Sequence, residues 1–263
     1  MFTNISFSLV GLICVFAVLL VFRTIILAGG ALWLIQHTQF ARFHRIYQHA
    51  FGPSQFYDEL RASAWMVVVD AITFAFAVHY HLIRSAEQNL ALIVMTCALS
   101  AAWYEIWFYF THRLLHTRAF YFIHAQHHTA KVTHPFTSLN FSLLERCWLI
   151  AGSLGFAIVI SRVMPFASLG LFLYLVINYI LNVTGHSNIE IFPPGYTQSL
   201  PGKIFISVTH HAMHHARQGG HYGLFTRVLD DWFHTTFTDY EKTQRCAAEG
   251  MGQPRLGASG NSF

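Results

Sequence analysis

The sequence is poor in charged residues. Only 11% of its 263 residues are Asp, Glu, Lys or Arg, whereas 54% are hydrophobic. Soluble domains carry about 25% charged residues, so this chain cannot cover an ordinary water-facing surface. The composition excludes an intrinsically disordered chain, a collagen and a coiled coil. It predicts an integral membrane protein, long enough for one large domain or two small ones.

Several sequence motifs that indicate a bound cofactor or a nucleic-acid partner are also absent. The four cysteines form no CxxC pair or iron–sulfur spacing, and the sequence has no GxGxxG and no HExxH. Its 16 Lys and Arg residues are scattered, which argues against a nucleic-acid surface. We therefore expect no bound dinucleotide and no nucleic-acid partner.

Five apolar runs are long enough to cross a bilayer. The first has no preceding positive residue and no A-x-A cleavage site, which indicates a retained helix with Arg23 snorkelling. The polar stretch 37–61 predicts a loop or surface segment, and Asp70 in the second run predicts a hydrogen bond between helices. The runs predict an all-α membrane bundle with spans at about 5–35, 62–83, 90–111, 147–161 and 166–183.

The distribution of positive charge predicts the orientation. If the N-terminus lies outside, thirteen Lys and Arg residues fall on the inner side, and only Arg84 and Arg162 fall on the outer side. Cytoplasmic loops are enriched in these residues. We expect residues 1–240 to form a single membrane-embedded domain and 241–263 to form a polar, mobile tail.

Histidine is abundant, with 18 residues. The third span leads into HRLLH from His112, a second cluster reads HAQHH from His124, and a third reads HAMHH from His211. Spacings of three and four place imidazoles on one helix face. His186 follows the fifth span alone. All of these lie on the predicted cytoplasmic side, at the ends of the spans.

Nine crowded imidazoles favour a metal centre, because without a metal they repel when protonated and lose hydration when buried. Zinc sites use about four ligands, so nine imidazoles require at least two ions. The ligand type suits Zn, Cu, Fe or Ni, and two adjacent ions point to a histidine-rich di-iron site. A zinc-dependent lipid hydrolase and a non-enzymatic metal-binding or transport protein are the alternatives.

The order HxxxH, HxxHH, single His, HxxHH resembles the fatty acid hydroxylase/sterol desaturase superfamily of membrane di-iron enzymes. The resemblance runs from about Trp103 to Tyr240 and includes PFTS from Pro135 and HYG from His221. It implies a metal-ligand set of His112, His116, His124, His127, His128, His186, His211, His214 and His215. His210 and His221 are possible further ligands, and His234, like His221, departs from the family pattern. His134 is expected to be a loop residue.

The resemblance implies an enzyme that uses two Fe ions and O2 to hydroxylate or desaturate an unactivated C–H bond of a bilayer lipid. Electrons would come from NAD(P)H through a separate reductase or electron carrier, since the sequence shows no motif for a flavin, nicotinamide, iron–sulfur or haem group of its own. We expect no catalytic residue beyond the ligands. Their outer hydrogen-bond acceptors are expected among Glu145, Asn182, Glu190, Asp230 and Asp231. The four aromatic residues Trp103, Trp107, Phe108 and Phe110 are candidates for lining an acyl channel.

Overall fold

The computed structural model describes residues 8–49 and 51–253, and these contain helices and isolated bridges but no β-strand. Five helices are long and apolar enough to cross a membrane, which confirms the all-α membrane bundle. The five are α1 (Leu9–His37), α3 (Pro53–His79), α4 (Leu90–Leu115), α6 (Leu143–Ile160) and α7 (Ser168–Gly185).

Shorter helices lie between and after the spans. They are α2 (Gln39–Phe43), α5 (Tyr121–His124), α8 (Val208–Arg217), α9 (Val228–Trp232) and α10 (Tyr240–Ala248). Single 3₁₀ turns form at His127–Thr129, Pro135–Leu139, Tyr196–Gln198 and Pro201–Lys203.

Local sequence fixes where the long helices begin. The side-chain oxygens of Ser8, Asn89 and Ser142 accept hydrogen bonds from backbone N–H groups in the first turns of α1, α4 and α6. Pro53 occupies the first position of α3, where its missing N–H has no intrahelical partner to lose. Residues 53–61, expected in a loop, are therefore helical. The last turn of α4 and the first turn of α6 also extend beyond the predicted spans.

The two ends of the bundle have different characters. At one end, the turns after α3 and α6 pack together, with Arg84 N donating to Ser161 Oγ and Ala86 N donating to Phe166 O. At the other end, residues 44–47 pair with 188–190, and the short helices lie around them. Every histidine of the three predicted clusters, and His186, lies at this second end, here called the polar end.

Charged residues inside the bundle pair with each other. Arg146 donates two hydrogen bonds to Asp70, from Nε to Oδ1 at 2.7 Å and from Nη2 to Oδ2 at 2.6 Å. Asp70 thus joins α3 to α6, as predicted. Arg23 does not snorkel: its guanidinium lies 3.8 Å from the ring centroid of Tyr179 on α7. Arg146, placed on the inner side by the charge count, lies within a span.

The C-terminal segment departs from the predicted mobile tail. Residues 240–248 form α10, whose Tyr240, Thr243, Gln244 and Ala247 are buried. Ala247 packs in an apolar cluster with Val208 and Ala212 of α8. Sequence reasoning missed this helix because its buried side chains are mainly polar. Residues 254–263 lie outside the described part of the chain.

Candidate metal centre

The nine predicted ligands come from five segments that meet at the polar end. His112 is on the last turn of α4 and His116 caps it, whereas His124 ends α5 and His127 and His128 form the following 3₁₀ turn. His186 caps α7, and His211, His214 and His215 share one buried face of α8.

All nine imidazoles are buried, none with more than 7% of its surface exposed. They form two groups, within each of which one nitrogen of every ring lies within 4.8 Å of one nitrogen of every other ring. The five-histidine group comprises His112, His116, His124, His128 and His214, and the four-histidine group comprises His127, His186, His211 and His215. The groups adjoin, since the ring centroids of His128 and His215 are 4.7 Å apart.

Within each group, Nε2 atoms face one another at short range. In the five-histidine group, the Nε2 pairs His112–His124 and His128–His214 are each 3.1 Å apart. In the four-histidine group, His186 Nε2 lies 3.0 Å from that of His211 and 3.4 Å from that of His127. Two nitrogens that each lie about 2.1 Å from one ion are about 3.0 Å apart when the nitrogen–ion–nitrogen angle is a right angle. They are about 3.4 Å apart when that angle is tetrahedral.

The opposite ring nitrogens determine the tautomers. Nδ1 of His127 lies 3.3 Å from Asn140 O, and Nδ1 of His186 lies 2.7 Å from Asn182 O. A carbonyl oxygen can only accept, so both Nδ1 atoms carry the hydrogen and both neutral rings turn an Nε2 lone pair toward the other. The same holds for His112 Nδ1, which donates to Tyr222 O at 2.9 Å. Facing lone pairs repel unless a cation lies between them.

A proton is a poor candidate for this cation. Burial lowers the pKa of His214 well below its ordinary value, and the neighbouring His112 lowers it further. Burial also lowers the pKa of His186 to about 4. The imidazoles are therefore neutral at pH 7, which is the form that binds a metal. The donor set fits two metal ions, one in each group.

Outer acceptors orient six of the nine rings. Glu145 is one of them, accepting a hydrogen bond from His124 Nδ1 at 2.6 Å. Asn182 contributes through its backbone carbonyl, while its side chain bonds to Asn178. The remaining acceptors are the carbonyl oxygens of Ala130, Asn140, Gly220 and Tyr222. Sequence reasoning missed these four because a backbone carbonyl leaves no signal in residue identity.

Three other candidate acceptors do not bond to a metal-facing ring. Glu190 accepts from Thr209 N at 3.2 Å and Thr209 Oγ1 at 2.6 Å, which caps the N-terminus of α8. Asp230 accepts from Tyr222 N and Gly223 N, holding the loop whose Tyr222 carbonyl orients His112. Asp231 pairs with Arg227 at the surface. Glu190 and Asp230 act on the site through the backbone.

The possible additional ligands lie outside both groups. His221 has both nitrogens engaged, with Nδ1 donating to His210 O and Nε2 accepting from Phe237 N. His210 stacks on His221 with 3.7 Å between ring centroids, and its Nε2 lies 3.5 Å from Asp230 Oδ2. His234 is exposed.

His134 is more than a loop residue. It is buried, with Nε2 lying 3.1 Å from Glu59 Oε2, and Glu59 also accepts a hydrogen bond from Thr137. This contact anchors the 135–139 turn, which leads to the Asn140 carbonyl behind His127. The sequence did not predict the His134–Glu59 contact, because Glu59 falls in the stretch 37–61, which was expected to be a loop or surface segment.

Two adjoining groups of buried imidazoles at one end of a helical membrane bundle are the arrangement expected of a membrane metalloprotein. The match to a family model described as fatty acid hydroxylase covers residues 97–235, just over half of the sequence, and the chain belongs to this family. The matched region contains all nine imidazoles and the helices and loops that position them.

Curated relatives support the same superfamily. Very-long-chain aldehyde decarbonylase GL1-1 of Oryza sativa subsp. indica is 32% identical over 165 residues, covering 61% of this chain and 26% of that protein. Protein CER1-like 1 of Arabidopsis thaliana is 34% identical over 153 residues, covering 54% and 23%. The chain spans about a quarter of the length of these relatives. No solved structure matches it significantly.

Proposed function

We propose that the protein is a membrane-bound di-iron oxygenase that hydroxylates an unactivated C–H bond of a lipid. The observation that carries the proposal is the pair of adjoining imidazole groups, each with neutral Nε2 donors converging in a buried space. Nine imidazoles exceed the ligand capacity of one ion, and family membership favours iron over zinc. Desaturation of the same bond is the closest alternative outcome.

The chain's residues would hold and shield the metal ions. The five-histidine group would bind one iron and the four-histidine group the other. When bound, the two irons supply the chemistry that uses O2 to oxidise a C–H bond. The Nδ1–H donations to Glu145 and to backbone carbonyls fix the ring orientations, and burial excludes water from the space between the rings.

Substrate and electrons would reach the site from different directions. The spans offer a lipid an apolar route from the bilayer to the polar end. Electrons would come from NAD(P)H through a separate reductase or carrier. The charge distribution favours a cytoplasmic position for the polar end, with residues 1–240 forming the membrane-embedded unit, although α10 packs against it. Because Arg146 lies within a span, twelve positive residues remain on the predicted inner side and two on the predicted outer side.

A long-chain aldehyde is a second candidate substrate, because GL1-1 and CER1 are both named as very-long-chain aldehyde decarbonylases. Identity of 30% over 166 residues to CER1 of Arabidopsis thaliana, 57% of this chain and 25% of that protein, makes the reaction worth assaying directly. An aldehyde would use the same metal centre and the same apolar route.

Turnover with labelled oxygen tests the proposal. Purified protein with a reductase, NAD(P)H and ¹⁸O2 should convert a fatty acyl lipid to a product that contains one ¹⁸O atom, and His214→Ala should abolish the product. A two-hydrogen loss without ¹⁸O would indicate desaturation, and conversion of an aldehyde only would favour the second candidate. Oxygen-independent lipid hydrolysis would overturn the proposal.

A further inference from the structure

An apolar groove runs along the bundle beside the metal centre. It has a volume of about 840 Å³ and is lined by 101–106 of α4 and 174–185 of α7, with parts of 191–208 and 224–229 closing its polar end. Pockets that hold small organic ligands usually enclose about 300–1,000 Å³. None of the metal-facing rings lines the groove, so it is a separate feature.

Helix packing creates the groove. At the end of the bundle remote from the metal centre, α4 and α7 are in close contact, since a Cβ at Gly170 of α7 would collide with the Ile93 carbonyl of α4. Farther along, the same two helices leave the groove between them. The expected channel aromatics do not line it, since Trp103 stacks on Phe156 of α6 and Trp107 packs over Gly152.

The groove is open toward the bilayer. Ile106, Ile177 and Leu181 line it and are 40–48% exposed, on helices that cross the membrane. The medium around them is lipid acyl chain, which can enter from the side without crossing water. Phe205 and Val228 continue this apolar surface at the polar end.

Most polar side chains of the groove have partners within the protein. Glu105 accepts hydrogen bonds from the backbone N–H groups of 224–226, and Asn178 donates to Tyr174 Oη. Thr184 Oγ1 donates to Ile180 O, and Ser207 Oγ accepts from Tyr240 Oη. With these groups satisfied, the lining is mainly apolar and matches a hydrocarbon chain.

One end of the groove adjoins the four-histidine group. Gly185 lines the groove and directly precedes His186, and a Cβ built at Gly185 would lie 4.0 Å from His211 Cδ2. The other end lies beside Ala101 and Ala102, about 15 Å away along the helices at 1.5 Å per residue. A chain lying in the groove therefore has one carbon near His211 and its remote end near the two alanines.

We infer that this groove binds a single straight hydrocarbon chain and that Ala101 and Ala102 set the chain length accepted. The inference rests on the proposed function only for the oxidation of the carbon near Gly185; binding of the chain itself is independent. Small side chains at the remote end leave room for the chain terminus, and a bulky side chain there would shorten the groove.

Photo-crosslinking tests the binding directly. A straight-chain fatty acid with a diazirine at its methyl end, incorporated in bilayers with the metal-loaded protein, should label peptides containing 101–106 or 174–185. Ala102→Phe should remove this labelling for long chains and retain it for shorter ones. Ala91→Phe, an exposed alanine on the same helix outside the groove, should leave the labelling unchanged.

The outcomes separate the two proposals. Labelling confined to other surfaces, or labelling unaffected by Ala102→Phe, would overturn the groove assignment whatever the enzyme does. Groove labelling without lipid oxidation under any electron supply would retain the assignment and defeat the proposed oxygenase function. If both hold, Ala102→Phe should shift the oxidised products to shorter chains while the metal content stays that of the unsubstituted protein.

Discussion

At the scale of single residues, the two nitrogens of an imidazole perform different tasks. In His127 and His186, Nδ1 binds a backbone carbonyl and thereby assigns Nε2 to the centre. The ring is held by the fold before any metal arrives, so little side-chain freedom remains to be lost on binding. Removal of one such ring takes away a ligand and leaves an orphaned carbonyl.

The effect of replacing a single histidine on activity and metal content should depend on its position. His127→Ala and His214→Ala should abolish activity and lose metal, because each ring faces other rings through Nε2. His49→Ala and His79→Ala should retain most of both, since these side chains are exposed and outside the groups. Metal analysis and turnover of all four variants check this ranking, and equal losses from all four would refute the ligand assignment.

Glu145 should matter through His124 rather than by contact with substrate. Loss of an outer-shell partner typically costs about 10–100-fold in metal affinity. We expect Glu145→Gln to fall in this range, measured by competition with a chelator. Asp231→Asn removes a carboxylate that pairs with Arg227 at the surface, outside both groups, and should keep the metal affinity. Equal weakening by both would indicate a general effect on folding.

The sequence was sufficient to predict the nine ligands, but not their division into the five- and four-histidine groups. HxxxH and HxxHH spacings place rings on a common face, and the resemblance supplied the isolated His186. The facing pairs, however, join residues far apart in the chain: His186 with His127 over 59 positions and His214 with His128 over 86. Such pairings depend on tertiary packing, which local spacing does not encode.

At the scale of helices, buried polar contacts hold neighbouring elements together. Asp70 and Arg146 join α3 to α6, and Arg146 follows Glu145 directly in the sequence. The ion pair therefore stabilises the same helix that positions the acceptor for His124. Polar residues on interior faces also explain the misassigned boundaries, because Glu59 in α3 and Gln244 in α10 are buried where hydropathy predicts a surface.

Removal of one member of this ion pair should destabilise the protein more than replacement of both members with apolar residues. Asp70→Ala leaves the guanidinium of Arg146 buried without its partner, and loss of one member of a buried pair typically costs about 3–5 kcal/mol. We expect a clear fall in the thermal unfolding temperature in detergent. The double variant Asp70→Leu with Arg146→Met should recover much of the loss, whereas an equally unstable double variant would contradict this interpretation.

At the scale of the whole molecule, five candidate spans bring the segments that carry the nine imidazoles to one end. The hydropathy runs were sufficient to predict this alternation. Which side of the membrane the polar end faces depends on charge bias, and the bundle itself is the same in either orientation.

Accessibility labelling should place the polar end in the cytoplasm. In a background without the native cysteines, Arg118→Cys and Ser199→Cys should both react from the cytoplasmic side, because positive residues are concentrated at that end. Arg84→Cys, in the turn at the opposite end, should react only from the other side. Reaction of the first two positions from opposite faces would break the five-span arrangement.

The metal content of the intact protein shows whether the two histidine groups hold a di-iron centre. Purified anaerobically in detergent, the protein should contain close to two irons per chain and show no haem Soret band, because the five- and four-histidine groups each offer a complete set of neutral donors. One zinc per chain, with lipid turnover that does not require O2, would rule out a di-iron oxygenase.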